Sequence, residues 1–300
     1  MTFSAVFAGS PHVAVPYLEA LIAAGVDVTA VLTREDAPVG RKRIITPTPV
    51  ATCAEHHGIP VIKANTLKGV GLPAADIGLV VAYGALIPSS VLGMPAHGWL
   101  NVHFSSLPEW RGAAPVQRAI MSGAETIGVS IFRLVEELDA GPVVWTSVHP
   151  IDSESTATEA LDYVSRATAN DLVTVARSVV DGSATFTEQS GHGTYAHKLS
   201  RSDGLIDWSL TSAEVTSHIR GVTDDPGAYT NWGDTTFGVI RCRRGPDHEG
   251  VPGAVVIVEG RVLVHCGNGT IELTRVKPAG KSVMAASDWA RGVRENVRFA

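Results

Sequence analysis

Short apolar runs recur at regular intervals over the first 150 positions of the chain, and stretches with helical spacing separate them. Apolar residues that return every three or four positions predict helices at 13–25 and around 49–58. Strands that alternate with helices and are nearly continuous in apolar residues indicate a parallel sheet covered on both faces. The predicted strands lie at 3–7, 27–33, 59–62, 77–84 and 98–103.

A hairpin and a long helix are predicted to complete this α/β domain. Two further apolar runs, at 126–135 and 141–151, flank the turn-like sequence EELDAG. A sustained helical pattern then runs from about 155 to 180. We therefore expect a Rossmann-like parallel-sheet domain over residues 1–181.

The character of the sequence changes after Asp181. Residues 182–204 are rich in Gly, Ser and Thr and show little periodicity, which predicts a linker. Beyond it, one helix at 212–222 and several short strands with glycines between them predict a small antiparallel barrel or sandwich over 205–300.

Composition describes a compact protein. Of the 300 residues, 45% are hydrophobic and 18% are charged, which argues against a disordered chain. No apolar run approaches the ~18 residues needed to cross a bilayer, and the N-terminus lacks the pattern of a signal peptide, so we expect a cytoplasmic protein. Cys53, Cys242 and Cys266 lie far apart without a CxxC pair, so neither a disulfide framework nor a zinc cluster is indicated.

Charge is spread unevenly along the chain. The net charge is −6, yet residues 241–300 hold ten Lys and Arg against six Asp and Glu. A basic segment on an acidic body is typical of a phosphate-facing surface, but a solvated face has the same composition. The charge alone leaves both interpretations open.

Several common nucleotide and metal motifs are missing from the sequence. The first strand leads into GSPHVA, which holds one glycine rather than the G-x-G-x-x-G of a dinucleotide fold. Neither a GxxxxGK[ST] phosphate loop nor an HExxH pair occurs. Nicotinamide or flavin binding, nucleotide hydrolysis and zinc-protease chemistry are therefore disfavoured.

The stretch NVHFSSLPEWRGAAP carries the main candidate chemistry. Asn101 and His103 are two residues apart on a predicted strand, so both side chains leave the same face. An amide beside an imidazole suits a reaction in which a carbonyl oxygen becomes negative. The alternative is a hydrogen-bonded core histidine beside a turn-capping asparagine.

Three further features lie in loops. Asp139 is a turn residue in ELDAG, or else its carboxylate faces His103, orients the ring and raises its pKa. Residues 105–108 follow the Asn/His strand, where open α/β sheets bind ligands. The cations at 41–43 either solvate a flexible loop or close over an anion such as RNA phosphate.

Taken with these residues, the chain resembles the methionyl-tRNA formyltransferase family. The family's Asn-x-His, Ser-Leu-Leu-Pro and Trp-Arg-Gly-Ala-Ala-Pro motifs match Asn101, His103, 105–108 and 110–115. The resemblance extends through FAGSP, VGRKR, VVAYGALIP, LDAG, TYAHKLSRSDGLIDWS and KPAGKSVMAASDWARG, so it covers nearly the whole chain.

The resemblance implies transfer of a formyl group from 10-formyltetrahydrofolate to the α-amino group of methionyl initiator tRNA, without a metal. It also implies an OB-like β-barrel at 205–300 that adds tRNA contacts, and we expect a monomer without membrane attachment. The residues on which the roles fall are as follows: Asn101, His103 and Asp139 for catalysis; Ser105, Ser106, Leu107 and Pro108 for folate binding; Arg41, Lys42 and Arg43 for tRNA binding.

The implied mechanism follows from the three catalytic positions. The neutral amine attacks the formyl carbon, and Asn101 and protonated His103 stabilise the oxyanion. Asp139 orients His103 and helps to remove the amine proton, and N10 of the folate leaves protonated.

The chain departs from the family pattern at three places. Ser106 stands where the family has a leucine, Glu109 where a basic residue is common, and the sequence DDPGAY at 224–229 where an aromatic Pro-Trp-Pro-like segment is usual.

Rival readings share the Asn/His/Asp set: enzymes that formylate a purine-pathway ribonucleotide or an amino sugar, or that hydrolyse formyl-folate. A non-enzymatic RNA-binding protein is a further alternative, and it predicts RNA binding without folate dependence.

Overall fold

The computed structural model describes residues 2–40, 42–246, 248–293 and 297–300, and the chain divides into two compact units. The first comprises Met1–Gly112, Ile127–His149 and Leu161–Tyr195, and the second Ala113–Thr126, Pro150–Ala160 and Ala196–Ala300. The units therefore interleave along the sequence, unlike the predicted consecutive bounds 1–181, 182–204 and 205–300, which stay predictions.

Strands and helices follow one another along both units. The strands are β1 (Ser4–Gly9), β2 (Asp27–Thr33), β3 (Ala37–Val39), β4 (Ile44–Thr46), β5 (Val61–Lys63), β6 (Ile77–Val81), β7 (Trp99–His103), β8 (Arg111–Gly112), β9 (Thr126–Arg133), β10 (Val143–Pro150), β11 (Tyr195–Ala196), β12 (Ala228–Trp232), β13 (Thr235–Arg244), β14 (Val255–Val258), β15 (Arg261–His265), β16 (Thr270–Lys277) and β17 (Met284–Ala285). The helices are α1 (Val15–Ala23), α2 (Pro49–His56), α3 (Ser89–Leu92), α4 (Pro115–Met121), α5 (Ala157–Val180), α6 (Ser212–Val222) and α7 (Ala286–Ala290).

A seven-stranded sheet forms the framework of the first unit, in the order β10-β9-β7-β6-β1-β2-β5. The pairs β1–β2, β1–β6, β6–β7 and β2–β5 are parallel, whereas β7 and β9 pair antiparallel. All five residues of β6 are buried, which explains why that stretch is continuously apolar. The predicted α/β fold is confirmed as a mixed sheet, because β9 adds an antiparallel pairing beside the parallel strands.

Side-chain capping explains where two of the helices, α2 and α6, begin. Thr48 caps α2 by accepting a hydrogen bond from the Ala51 amide at 3.1 Å, and Pro49 follows it in the first turn. Thr211 and Glu214 form a capping box at the start of α6, whose bounds match the prediction of 212–222.

No helix in the described ranges combines the length and hydropathy that a bilayer crossing requires.

An antiparallel sheet forms the framework of the second unit, in the order β12-β13-β16-β15-β14, with β17 on β16. Its core holds an aromatic cluster in which Trp208 stacks on Phe299 at 5.8 Å and Phe237 packs on Trp289 at 4.8 Å. The predicted antiparallel β structure that follows the helix at 212–222 is confirmed.

The hydrophobic pattern missed elements that carry little buried surface. Strands β3 and β4 form an antiparallel hairpin inside the loop predicted at 36–49. All six of their residues are exposed, so the sequence shows no alternation there.

Candidate active site

Asn101 and His103 lie in β7, between β6 and β9. In the antiparallel register, Asn101 is opposite Phe132 and His103 is opposite Ser130. Because alternate residues of a strand point the same way, the amide and the imidazole share one face of the sheet. The strand thus places both groups as its sequence spacing predicts.

His103 is buried, with 5% of its surface exposed. Its Nε2 lies 2.8 Å from the carbonyl oxygen of Trp110, which accepts only, so Nε2 carries the proton. Nδ1 faces the Asp139 carboxylate, with 3.8 Å to Oδ2. Burial lowers the pKa of His103 below its ordinary value, and the Asp139 carboxylate and the Trp110 carbonyl act in the opposite direction. The predicted upward effect of Asp139 is therefore present but outweighed by desolvation.

Asp139 is held in an unusual backbone conformation beside His103. Its φ of 50° lies in the left-handed region that few non-glycine residues adopt. Oδ2 accepts a 2.8 Å hydrogen bond from the Gly112 amide, and the side chain is 9% exposed. Gly141 closes the loop, since a Cβ there would lie 1.9 Å from the Arg133 carbonyl oxygen. The hydrogen bond from the Gly112 amide keeps the Asp139 carboxylate next to the His103 imidazole.

The side chain amide of Asn101 has no hydrogen-bond partner among the described residues. The residue is half-buried. A buried or half-buried amide usually has a partner. The free donor on the same face as His103 is consistent with a ligand carbonyl as its partner.

The loop of residues 105–108 is tied to β9. Ser130 donates from Oγ to the Ser105 carbonyl at 2.7 Å and accepts from the Leu107 amide at 3.1 Å. Ser105 uses its own hydroxyl internally, donating to the Glu109 carbonyl at 2.5 Å. The Leu107–Pro108 peptide bond is cis.

Gly128 in β9 lets the same loop approach the strand closely. A Cβ at this position would lie 2.1 Å from Oγ of Ser106 and 2.3 Å from its amide nitrogen. The serine that replaces the family's leucine therefore packs against a strand position without a side chain.

A second segment supports the loop from its other side. Thr194 accepts a 2.8 Å hydrogen bond from the Trp110 amide at Oγ1, and its carbonyl accepts from the Arg111 amide at 2.8 Å. Upstream, Thr187 and Val143 exchange two 2.8 Å backbone hydrogen bonds. The first part of the predicted linker 182–204 is thus bound to the first unit.

Sequence reasoning missed Ser130, Gly128 and Thr194. Ser130 could be found only from the register that sets it opposite His103, and strand pairing is not written in the hydrophobic pattern. Thr194 lies in a stretch without periodicity, where turn-rich composition conceals specific contacts.

Two of the predicted tRNA-binding cations, Lys42 and Arg43, lie between β3 and β4 in the hairpin. Arg41 is outside the described residues. Lys42 and Arg43 are exposed, and Arg43 has a φ of 49°. No described contact brings these two side chains to Asn101, His103 or Asp139.

No group of three or more His, Cys, Asp and Glu side chains that could hold a metal ion occurs within the described ranges. The three cysteines are free, and burial raises the pKa of the Cys242 thiol to about 12.

Two family models match the two halves of the chain. Residues 3–176 match the model described as formyl transferase, and residues 198–294 match the formyl transferase C-terminal domain. Together with the mixed sheet and the Asn/His/Asp site, these matches place the chain in the class of formyl transferases.

Curated relatives narrow the class. The chain is 47% identical over 294 residues to a methionyl-tRNA formyltransferase of Leifsonia xyli, covering 96% of each sequence. It is 44% identical over 293 residues to the methionyl-tRNA formyltransferase of Paenarthrobacter aurescens, again covering 96% of each. The chain belongs to the methionyl-tRNA formyltransferase family.

A solved structure shows the same fold at lower identity. WlaRD, a sugar 3N-formyl transferase studied in the presence of dTDP and 5-N-formyl-THF, aligns with 94% of this chain and 100% of its own. The TM-score is 0.70 at 16% identity, so this likeness concerns the fold alone.

Proposed function

We propose that this chain transfers a formyl group from 10-formyltetrahydrofolate to the α-amino group of methionyl-tRNA. The observation that carries the proposal is the 44–47% identity, over 96% of the chain, to proteins named methionyl-tRNA formyltransferase. The half-buried amide of Asn101 beside a buried His103–Asp139 pair supports acyl-transfer chemistry at this site.

In the proposed reaction Asn101 stabilises the oxyanion, and the His103–Asp139 pair transfers the proton. The neutral α-amine attacks the formyl carbon, and the carbonyl oxygen becomes an oxyanion that the Asn101 amide stabilises by hydrogen bonding. The amine loses its proton to the His103–Asp139 pair, so His103 becomes the cation that also stabilises the oxyanion. The bond from the formyl carbon to N10 then breaks, and N10 receives that proton.

A lowered pKa suits His103 to this cycle. Burial keeps the ring neutral before the amine attacks, so it is free to take up a proton. The nearby carboxylate then stabilises the imidazolium that forms. Asp139 therefore acts by orientation and charge.

The loop of residues 105–108 is proposed to hold the folate. Ser105 shapes the loop, because its hydroxyl is used within it. Ser106, Leu107 and Pro108 are half-buried beside His103's strand and form the surface that a pterin ring would meet. Ser130 fixes the spacing of that surface by donating to the Ser105 carbonyl and accepting from the Leu107 amide.

Recognition of the tRNA is proposed to involve both parts of the chain. Arg41, Lys42 and Arg43 would contact phosphates near the acceptor end, since exposed cations bind phosphate without sequence preference. The basic excess at 241–300 would extend the contact. The finer proposals are that the tRNA is the initiator, that the protein is a monomer, and that it works in the cytoplasm.

A direct assay tests the activity. Purified protein is mixed with 10-formyltetrahydrofolate and charged initiator or elongator methionyl-tRNA, and formyl-methionine is followed. We expect rapid formation with the initiator and much slower formation with the elongator. Formylation of a nucleotide-linked amino sugar, with neither tRNA as substrate, would show that the proposal is wrong.

A further inference from the structure

Gln189 lies in the segment 182–204 that the sequence presents as a linker, yet its side chain reaches the loop that carries Asp139. Its Nε2 donates to the carbonyl oxygens of Asp139 and Gly141, at 2.8 and 2.9 Å. Both carbonyls follow the Asp139 α-carbon along the chain, directly after the position that has the left-handed φ. One side chain amide thus fixes the backbone on the C-terminal side of Asp139.

Arg111 fixes which way that amide points. Its Nε and Nη2 donate to Oε1 of Gln189 at 3.2 and 2.7 Å. Only the amide oxygen can accept from a guanidinium, and only the amide nitrogen can donate to carbonyls. The orientation is therefore set from both ends. Arg111 itself is well covered, with 13% of its side chain exposed.

The next residue along the chain completes the arrangement. The Gly112 amide donates to Oδ2 of Asp139 at 2.8 Å, so adjacent residues hold Asp139 in two ways. Arg111 acts on its backbone through Gln189, and Gly112 acts on its carboxylate directly.

We propose that Gln189 is a positioning residue for formyl transfer: its amide, directed by Arg111, holds the Asp139 backbone so that the carboxylate stays beside His103. This inference rests on the proposed function of the site. A left-handed backbone at a non-glycine residue costs energy and persists where surrounding contacts enforce it. Without the two hydrogen bonds, the loop would relax and Oδ2 would leave the imidazole.

Gln189→Glu separates the two ends of the side chain. The variant keeps an acceptor for Arg111 but replaces the donor with an oxygen that faces two carbonyl oxygens. We expect kcat for methionyl-tRNA formylation to fall by roughly 10- to 100-fold, because small displacements of catalytic groups cost this much. The KM for methionyl-tRNA should change little. Ser190→Glu is the matched control, since it adds the same charge at an exposed neighbour without a described hydrogen bond, and it should keep the wild-type kcat.

Two further readouts separate positioning from general damage. The imidazole signal of His103, followed by NMR without substrates, should titrate at lower pH in Gln189→Met, which removes the hydrogen bonds without adding a charge, since the Asp139 carboxylate raises the pKa of the ring. Asp139 is the charged group that faces His103 among the described residues; the Trp110 carbonyl and the edge-on Phe132 ring are its other neighbours. In an Asp139→Asn background, Gln189→Glu should cost almost nothing further in kcat.

The inference fails if Gln189→Glu retains the wild-type kcat and Gln189→Met retains the wild-type His103 titration, or if the full loss of kcat in Gln189→Glu persists in the Asp139→Asn background. Should Gln189→Glu not fold, Gln189→Met removes the same hydrogen bonds without placing a charge there, and the same outcomes apply. If the wild-type protein formylates no methionyl-tRNA, the proposed activity is wrong. The His103 titration would still decide whether Gln189 positions Asp139.

Discussion

Oδ2 of Asp139 lies 3.8 Å from Nδ1 of His103, while the opposite ring nitrogen of His103 donates to the Trp110 carbonyl. The ring is therefore held between a backbone acceptor and a carboxylate inside the first unit. Because burial disfavours the imidazolium and the carboxylate favours it, the protonation of His103 depends on the presence of Asp139.

The titration of His103 should reveal this opposition. We expect its pKa to lie below the ordinary value of about 6.5 and to fall further in Asp139→Asn, where the attraction for the cation is lost. NMR detection of the imidazole over a pH series measures both values. Asp234→Asn, at an exposed turn of the second unit, should leave the titration unchanged. A His103 pKa that rises in Asp139→Asn would contradict the assignment.

The same shift links His103 to acid stability. A folded state with a lowered histidine pKa binds fewer protons than the unfolded chain between the two pKa values. The contribution of His103 to the free energy of unfolding is therefore full at pH values above the pKa of His103 in the unfolded chain. It declines as the pH falls from that pKa to the lower pKa of the folded protein. Denaturant titrations should show a steeper decline for Asp139→Asn than for Asp234→Asn.

Asn101→Ala should remove the donor for the oxyanion. Loss of one such donor costs on the order of 100-fold or more in kcat, while the free energy of unfolding should change little because the amide has no partner within the described residues. Single-turnover formylation measures the chemical step. Asn170→Ala on the exposed face of α5 is the matched control. Near-normal single-turnover rates in Asn101→Ala would exclude the oxyanion role.

The sequence predicts those parts of the site that depend on the local geometry of one strand or helix. The spacing of Asn101 and His103 on an apolar strand fixes their common face, and α6 follows from a clear helical period and a capping box. The approach of Asp139 to His103 depends on the packing of a loop, which periodicity does not encode. Gln189 is still harder to find, because a single side chain in a Gly- and Ser-rich stretch carries no pattern.

Gly128→Ala should disturb the loop of residues 105–108. The added Cβ would overlap the Ser106 amide, at 2.3 Å, and backbone cannot yield as easily as the end of a flexible side chain. Overpacking of this kind costs about 1–3 kcal/mol in the free energy of unfolding. We expect the KM for 10-formyltetrahydrofolate to rise more than the KM for methionyl-tRNA. Steady-state kinetics with each substrate varied, and denaturant unfolding, measure the two effects.

Gly71→Ala is the control for that substitution, since a Cβ there meets nothing within 4 Å. It should leave both KM values and the unfolding free energy unchanged. If the two substitutions have equal effects, or if Gly128→Ala leaves the kinetics unchanged, the proposal that the loop of residues 105–108 binds folate is wrong.

Lys42→Gln and Arg43→Asn should weaken tRNA binding through lost phosphate contacts. Asparagine tolerates the left-handed backbone that Arg43 adopts, so the hairpin conformation is kept. Each phosphate contact removed should reduce the slope of log affinity against log salt concentration by about 1 unit. Filter binding of methionyl-tRNA over a salt series measures that slope. Lys68→Gln, another exposed cation of the first unit, controls for the loss of one charge and should keep the wild-type slope. If all three variants reduce the slope equally, the cations act through net charge alone, and the hairpin makes no specific contact with the tRNA.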